Sequence, residues 1–236
     1  MENYKVKYYN YDISDYAFIR MIENLFSIDD LSQTHTFLKN DTPMELFTNE
    51  NDDATPFHDL FYTKMNSGWE EFEKTYLSLI KHIATKILNQ DSIIFQSKPN
   101  IRIQLPNNIA VGGSEKDEIG KYGWHRDSDD EYNHPPFEMN FIIPLTDSVE
   151  TASIYIESYP NSNVFQSIKM KTGQFFQFRG GKLIHGNKPN KTEKTRVSLD
   201  FRLVLQKDYD ERYCKNSKLS NKKFIIGEYY SKMEGI

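Results

Sequence analysis

Hydrophobic residues change their period along this chain. Up to about residue 90 they recur at helical spacing, and beyond it they alternate with polar residues. Phe18, Ile19, Ile22, Leu25 and Phe26 form one helical stripe, with Ser14 placed to cap its start. A longer stripe, Phe72, Tyr76, Leu79, Ile80, Ile83 and Ile87, predicts a helix over 68–90, with Ser67 and Glu70 as a capping-box pair. Residues 40–55 are polar, contain Pro43 and an acidic run, and predict a surface loop. From Ile93 the alternating runs predict strands over 93–96, 101–105, 137–145, 153–157, 174–178, 182–185 and 195–205. The tyrosine-rich start predicts an edge strand. The apolar patch from Lys223 to Tyr230 is expected to fold back over the mouth of the sheet structure. Helices followed by a run of strands define an α+β chain with a jelly roll.

Two segments break the simple inside-outside rule and so carry the chemistry. The run Arg196-Val197-Ser198-Leu199-Asp200-Phe201-Arg202-Leu203 alternates strictly, placing four polar side chains on one strand face and four apolar ones on the other. Upstream, Trp124-His125-Arg126-Asp127 sets an imidazole and a carboxylate two residues apart, so that an extended backbone aims both at one point. His185 lies 60 residues after His125, where a short apolar run meets a Gly-Asn turn signal, and can supply a third ligand. Two imidazoles and one carboxylate on one face of an ion form the facial triad of non-haem Fe(II) oxygenases, which leaves positions open for co-substrate and oxygen. Arg196, backed by the Ser198 hydroxyl, suits the far carboxylate of a dicarboxylic acid that chelates the metal at its other end. 2-Oxoglutarate is the co-substrate this pairing predicts.

Composition narrows the remaining classes. A chain of 236 residues, 38% hydrophobic, can bury one sizeable core, so a single domain over 1–236 is expected, its jelly-roll core at about 93–205. A net charge of -5 offers no basic stripe, and neither nucleic acid nor an anionic membrane is an expected partner. Cys214 is the only cysteine, which excludes an internal disulfide and suits a reducing compartment. With a polar N-terminus and no long apolar run, a cytoplasmic location is expected. The sequence sets no oligomeric state.

The segment from Ile101 to Val204 resembles the Fe(II)/2-oxoglutarate-dependent oxygenases, and most closely the StrG-like group of streptomycin biosynthesis. The likeness rests on Trp124-His-Arg-Asp127, Glu138-Met-Asn-Phe-Ile-Ile-Pro-Leu-Thr146, Ile154-Tyr-Ile-Glu-Ser158, Leu183-Ile-His-Gly-Asn187 and Thr195-Arg-Val-Ser-Leu-Asp-Phe-Arg202. It implies a double-stranded β-helix buttressed by the N-terminal helices, with His125, Asp127 and His185 on Fe(II) and Arg196 on 2-oxoglutarate. It also implies O2-dependent hydroxylation of a small molecule. The retained Asp127 points to hydroxylation over halogenation, because the related halogenases carry a small residue there to admit chloride.

Other polar positions stay open between roles. Alternation alone leaves Asn140 either outward or inward; the resemblance favours inward, as a partner of 2-oxoglutarate or substrate. Glu157, Asp200 and Arg202 are candidate substrate contacts, although Asp200 and Arg202 could equally pair inside the barrel. His134, in the loop after Asp127, is a further substrate candidate. Arg102 and Gln104 are weaker candidates. The acidic run Asp129-Asp130-Glu131 is a solvated loop or a negative rim for an amine-bearing substrate, an aminoglycoside, aminocyclitol or amino acid derivative. Gly112-Gly113 and Gly180-Gly181 lack P-loop spacing and predict turns. The competing class is a non-catalytic jelly roll that binds a small ligand as a sensor.

Overall fold

In the computed structural model, residues 4–38, 55–109, 124–218 and 222–236 are described. The expected loop over 40–55 and Gly112-Gly113 lie almost entirely outside them.

Two antiparallel sheets face one another. The larger has seven strands in the order β1 (Lys7–Asn10), β7 (Gln174–Phe178), β4 (Met139–Pro144), β9 (Arg196–Leu205), β2 (Ser92–Gln96) and β10 (Tyr230–Glu234), with β3 (Asn100–Gln104) also paired to β9. The smaller orders β6 (Phe165–Ile168), β5 (Ile154–Glu157) and β8 (His185–Asn187). β9 is the hub. Its N-terminal half pairs β3, with Ser198 opposite Arg102, and its C-terminal half pairs β2, with Val204 opposite Ile94, while β4 runs along its other side. The start of the chain does form an edge strand, β1 on β7. The sheets thus recruit β1 and β10 from outside the expected 93–205 core.

The alternation of β9 decides which face looks where. Val197, Leu199, Phe201 and Leu203 join Met139, Phe141, Ile101 and Ile103 in the main hydrophobic core. That core is completed by helices α1 (Phe18–Phe26), α2 (Pro56–Asn66) and α3 (Glu70–His82), which pack on the outer face of the large sheet. Tyr76 of α3 meets Phe201 edge-on at 5.4 Å between ring centroids. The opposite face of β9 keeps Arg196, Ser198, Asp200 and Arg202 between the two sheets, all four buried.

Three expectations are corrected at helix ends and at one strand. Ser14 caps nothing: its N–H and hydroxyl donate to Asp12, and α1 starts after Ala17. Ser67 closes α2 instead of opening α3, donating its hydroxyl to the Lys64 carbonyl, and Trp69 precedes α3 without a side-chain cap. The period-3.6 stripe extends past α3 because Ile83–Ile87 continues it as a π-helical turn. The expected strand over 182–185 is shifted: Lys182 and Leu183 both donate to Arg179 in a turn, and pairing begins at His185. The pattern does not mark the helix over Pro56–Asn66, which Thr55 and His58 cap. Among the described residues, no helix is long and apolar enough to cross a membrane.

Candidate metal centre

His125 and His185 are opposite one another in an antiparallel bridge, each donating its N–H to the other's carbonyl at 3.1 and 3.0 Å. This pairing sets the two imidazoles side by side, tilted at 53°, with centroids 4.8 Å apart. Asp127, two residues on, ties its own N–H to the Gly180 carbonyl at 3.0 Å and sends Oδ1 to within 3.4 Å of both His125 Nε2 and His185 Nε2. One ligand atom from each residue lies within 4.8 Å of the others. The orientation of His185 follows from a second bond. Its Nδ1 lies 3.0 Å from the Leu183 carbonyl, which can only accept, so Nδ1 carries the proton and Nε2 offers its lone pair.

The second oxygen of Asp127 is fixed from behind. Oδ2 accepts from Asn140 Nδ2 at 2.6 Å and from Arg202 Nη2 at 3.2 Å. Burial would push this carboxyl up, but the Arg202 guanidinium beside it holds it well below the ordinary carboxylate range. Arg202 in turn donates to Asp200 Oδ1 at 2.7 Å, and Arg102 Nε donates to Asp200 Oδ2 at 2.6 Å. Asn140 is itself oriented by the Gly180 N–H on its Oδ1 at 2.9 Å. Glycine is required there, since a Cβ on residue 180 would fall 2.6 Å from the Asn140 amide.

Arg196 is different. It is only 2% exposed, yet its Nε and Nη1 have no hydrogen-bond partner, and neither does the buried Ser198 hydroxyl two residues along the same face. Burial, and then the neighbouring Arg102, push the guanidinium down to about 9, against the pull of Asp200. Asn187, two residues past His185, likewise lines the cavity with an unpartnered Nδ2. Unmade donors in a buried site are expensive, and here they converge on the cavity that holds the His-Asp-His cluster. The donor set fits a divalent metal on one side of that cavity and a carboxylate on the other.

His125, Asp127, His185, Arg196, Ser198, Asn140, His134, Asp200 and Arg202 all line one cavity. Asn140 lines the cavity with Nδ2 donating to Asp127 Oδ2 and Oδ1 accepting from the Gly180 N–H. Glu157 does not line the cavity: fully buried, it accepts from the backbone N–H groups of Asn163 and Ile184 and so braces the turn before His185. His134 pairs its Nδ1 with buried Glu138 at 2.9 Å and packs on Phe224, which brings the C-terminal patch over the cavity as expected. None of Asp129, Asp130 and Glu131 is among the lining residues; all three are exposed.

Five contributors are unmarked, or only weakly marked, in the sequence. Arg102 and Asn100 both reach Asp200 from β3, a role their alternation with Ile101 and Ile103 permits. Asn187 shares a strand face with His185, the i, i+2 signal that could have found it. Tyr132 lies flat on His125 at 4.0 Å and Tyr229 closes the outer wall; nothing local in the sequence marks either.

The fold and the cluster together give a donor set suited to a non-haem iron. No protein-family profile matches the chain. Across 183 residues, 78% of its length, it is 30% identical to the streptomycin biosynthesis protein StrG of Streptomyces griseus, of which it covers 79%. The chain belongs to the StrG-like group. Among solved structures it is similar to the α-ketoglutarate-dependent epimerase SnoN of nogalamycin biosynthesis (TM-score 0.48, 11% identity, 86% of this chain and 78% of that one). It is also similar to a prolyl hydroxylase from Trichoplax adhaerens (TM-score 0.44, 11% identity, 88% and 86%).

Proposed function

We propose that this chain is an Fe(II)- and 2-oxoglutarate-dependent oxygenase that hydroxylates a small polar substrate. The observation that carries the reading is the buried Arg196, its Nε and Nη1 unpartnered beside an unpartnered Ser198, in the same cavity as His125, Asp127 and His185. His125, Asp127 and His185 would hold the metal, and Arg196 with Ser198 the far carboxylate of 2-oxoglutarate. When bound, Fe(II), 2-oxoglutarate and O2 supply the oxidising chemistry, with succinate and carbon dioxide as by-products.

The protein's share is placement. Asn140 and Arg202 grip Asp127 Oδ2, which leaves Oδ1 as the oxygen that faces the two imidazoles. The Leu183 carbonyl holds the His185 tautomer. Tyr132, His134 and Tyr229 wall the outer cavity and position a substrate C–H bond while limiting water. Retention of Asp127 supports hydroxylation as the outcome, since that carboxylate fills the position a halide would need.

The test is direct. Purified protein is titrated anaerobically with Fe(II) and 2-oxoglutarate, then given oxygen-18 gas, ascorbate and candidate substrates. One iron per chain, lost in His125→Ala and His185→Ala, and a product carrying one labelled oxygen with matching succinate are expected. Protein that holds iron but yields no succinate under any condition would sink the enzyme reading in favour of a ligand-binding jelly roll.

A further inference from the structure

Asp127 and His185 have their side chains gripped from behind, the one by Asn140 and Arg202, the other by the Leu183 carbonyl. Arg196 does not. Its Nε and Nη1 are buried without a partner, so the aim of the guanidinium has to be set through the backbone that carries it.

The strand ladder alone cannot do this on both edges. β3 stays with β9 as far as Gln104, directly opposite Arg196, but β4 pairs only up to Pro144, opposite Ser198, and ends two residues short. A side chain continues the work of β4. Thr146 Oγ1 accepts from the Val197 N–H at 2.9 Å and donates to the Thr195 carbonyl at 3.3 Å. In a strand, the carbonyl before a residue and the N–H after it point to the same edge, so this one hydroxyl straddles Arg196. The Val197 carbonyl on that edge takes the N–H groups of Leu145 and Thr146, at 2.8 and 3.2 Å. The helical layer adds a second grip: Thr195 donates its N–H to the Ser32 carbonyl at 2.8 Å, and its hydroxyl accepts from the His35 N–H at 3.2 Å. Thr146, Thr195 and Val197 are all buried, so water does not compete for these bonds.

Resting on the 2-oxoglutarate reading above, we propose that Thr146 is a positioning residue for Arg196: its hydroxyl fixes the peptide planes on either side and thereby delivers the guanidinium to the far carboxylate of the co-substrate. Valine matches threonine in shape but leaves a buried N–H and a buried carbonyl unmet, which frees this edge of β9 to move. Serine keeps the hydroxyl and loses only a methyl group.

Wild type, Thr146→Val and Thr146→Ser are loaded as full chains with Mn(II) and titrated calorimetrically with 2-oxoglutarate. A second titration uses 2-oxobutyrate, which keeps the chelating end and lacks the far carboxylate. Outer partners of ligand-binding groups are worth roughly 10- to 100-fold, so 2-oxoglutarate should bind Thr146→Val about tenfold or more weaker than wild type. Thr146→Ser should recover most of that loss, while the affinities for Mn(II) and for 2-oxobutyrate stay as in wild type. Unchanged 2-oxoglutarate affinity in Thr146→Val would overturn the proposal. So would a parallel fall in Mn(II) or 2-oxobutyrate affinity, which marks general loosening, or a failure of serine to rescue. Thr146→Ala, which cannot crowd Val197, carries the same test where the valine variant does not fold. Wild type that binds no 2-oxoglutarate would strike the oxygenase reading itself, whereas wild type and Thr146→Val that bind it equally confine the failure to Thr146.

Discussion

Replacing Arg196 by methionine should raise the stability of the unliganded protein while removing its affinity for 2-oxoglutarate. Arg196 is among the largest fully buried side chains, and two of its nitrogens have no partner. Burial and the neighbouring Arg102 push it from its ordinary 12.5 to about 9, which bounds the penalty of holding the charge there at about 4–5 kcal/mol. Exchange of such a charge for a side chain of similar length and no charge recovers part of that penalty, about 1–3 kcal/mol. For a chain of this length the gain is a rise of about 3–10 °C in Tm. The same change deletes a charge-assisted fork to a carboxylate, a loss of about 2–4 kcal/mol, or roughly 30- to 1000-fold in affinity. Thermal melts with Mn(II), with and without 2-oxoglutarate, read both effects at once. Wild type should gain about 2.7 kcal/mol at a hundredfold excess over Kd, and Arg196→Met should melt higher without ligand and gain nothing from it. A variant that melts lower than wild type would show that Arg196 is satisfied internally, and a preserved 2-oxoglutarate shift would move the carboxylate site elsewhere.

Three further outcomes follow from the same geometry. Arg202→Leu strips the cation from two buried acids, Asp127 and Asp200, and should destabilise the fold by about 3–5 kcal/mol in urea denaturation; a loss under 1 kcal/mol would deny Arg202 that role. Gly186→Ala would set a Cβ 2.7 Å from Trp124 Cγ, whose indole also donates to the Asn187 carbonyl, so the strand pair carrying both histidines must shift. Iron affinity should fall with stability down by about 1–3 kcal/mol; unchanged iron binding would show that the indole can yield. The depressed pKa of Arg196 fixes a pH dependence: its folded value lies below its unfolded one, so the penalty on folding is present at neutral pH and fades as pH rises past about 9. Affinity for 2-oxoglutarate, followed by tryptophan fluorescence, should be flat from pH 7 to 8 and decline above about 9, and a flat profile to pH 10 would contradict the assignment.

The metal cluster and the β9 face were legible in the sequence because both depend on local periodicity. A strand sends residues i and i+2 to one side whatever its neighbours, so His125 with Asp127, and Arg196 with Ser198, Asp200 and Arg202, could be grouped before any fold was known. The apolar half of β9 likewise announced a buried sheet backed by helices. Which polar residue answers which is not local. Asn140 serves Asp127 because β4 pairs with β9 and Gly180 approaches it, Glu157 braces backbone because the His185 strand begins later than its apolar run implies, and Ser67 ends one helix instead of starting another. Tyr229 and Lys222 reach the cavity only through the pairing of β10 with β2 and the fold-back that precedes it, over 120 residues downstream of the second strand. Sequence alone determined the face each side chain could occupy, since that is a property of backbone geometry; tertiary structure decided the partners, since buried donors and acceptors must be matched across strands that the chain brings together from far apart.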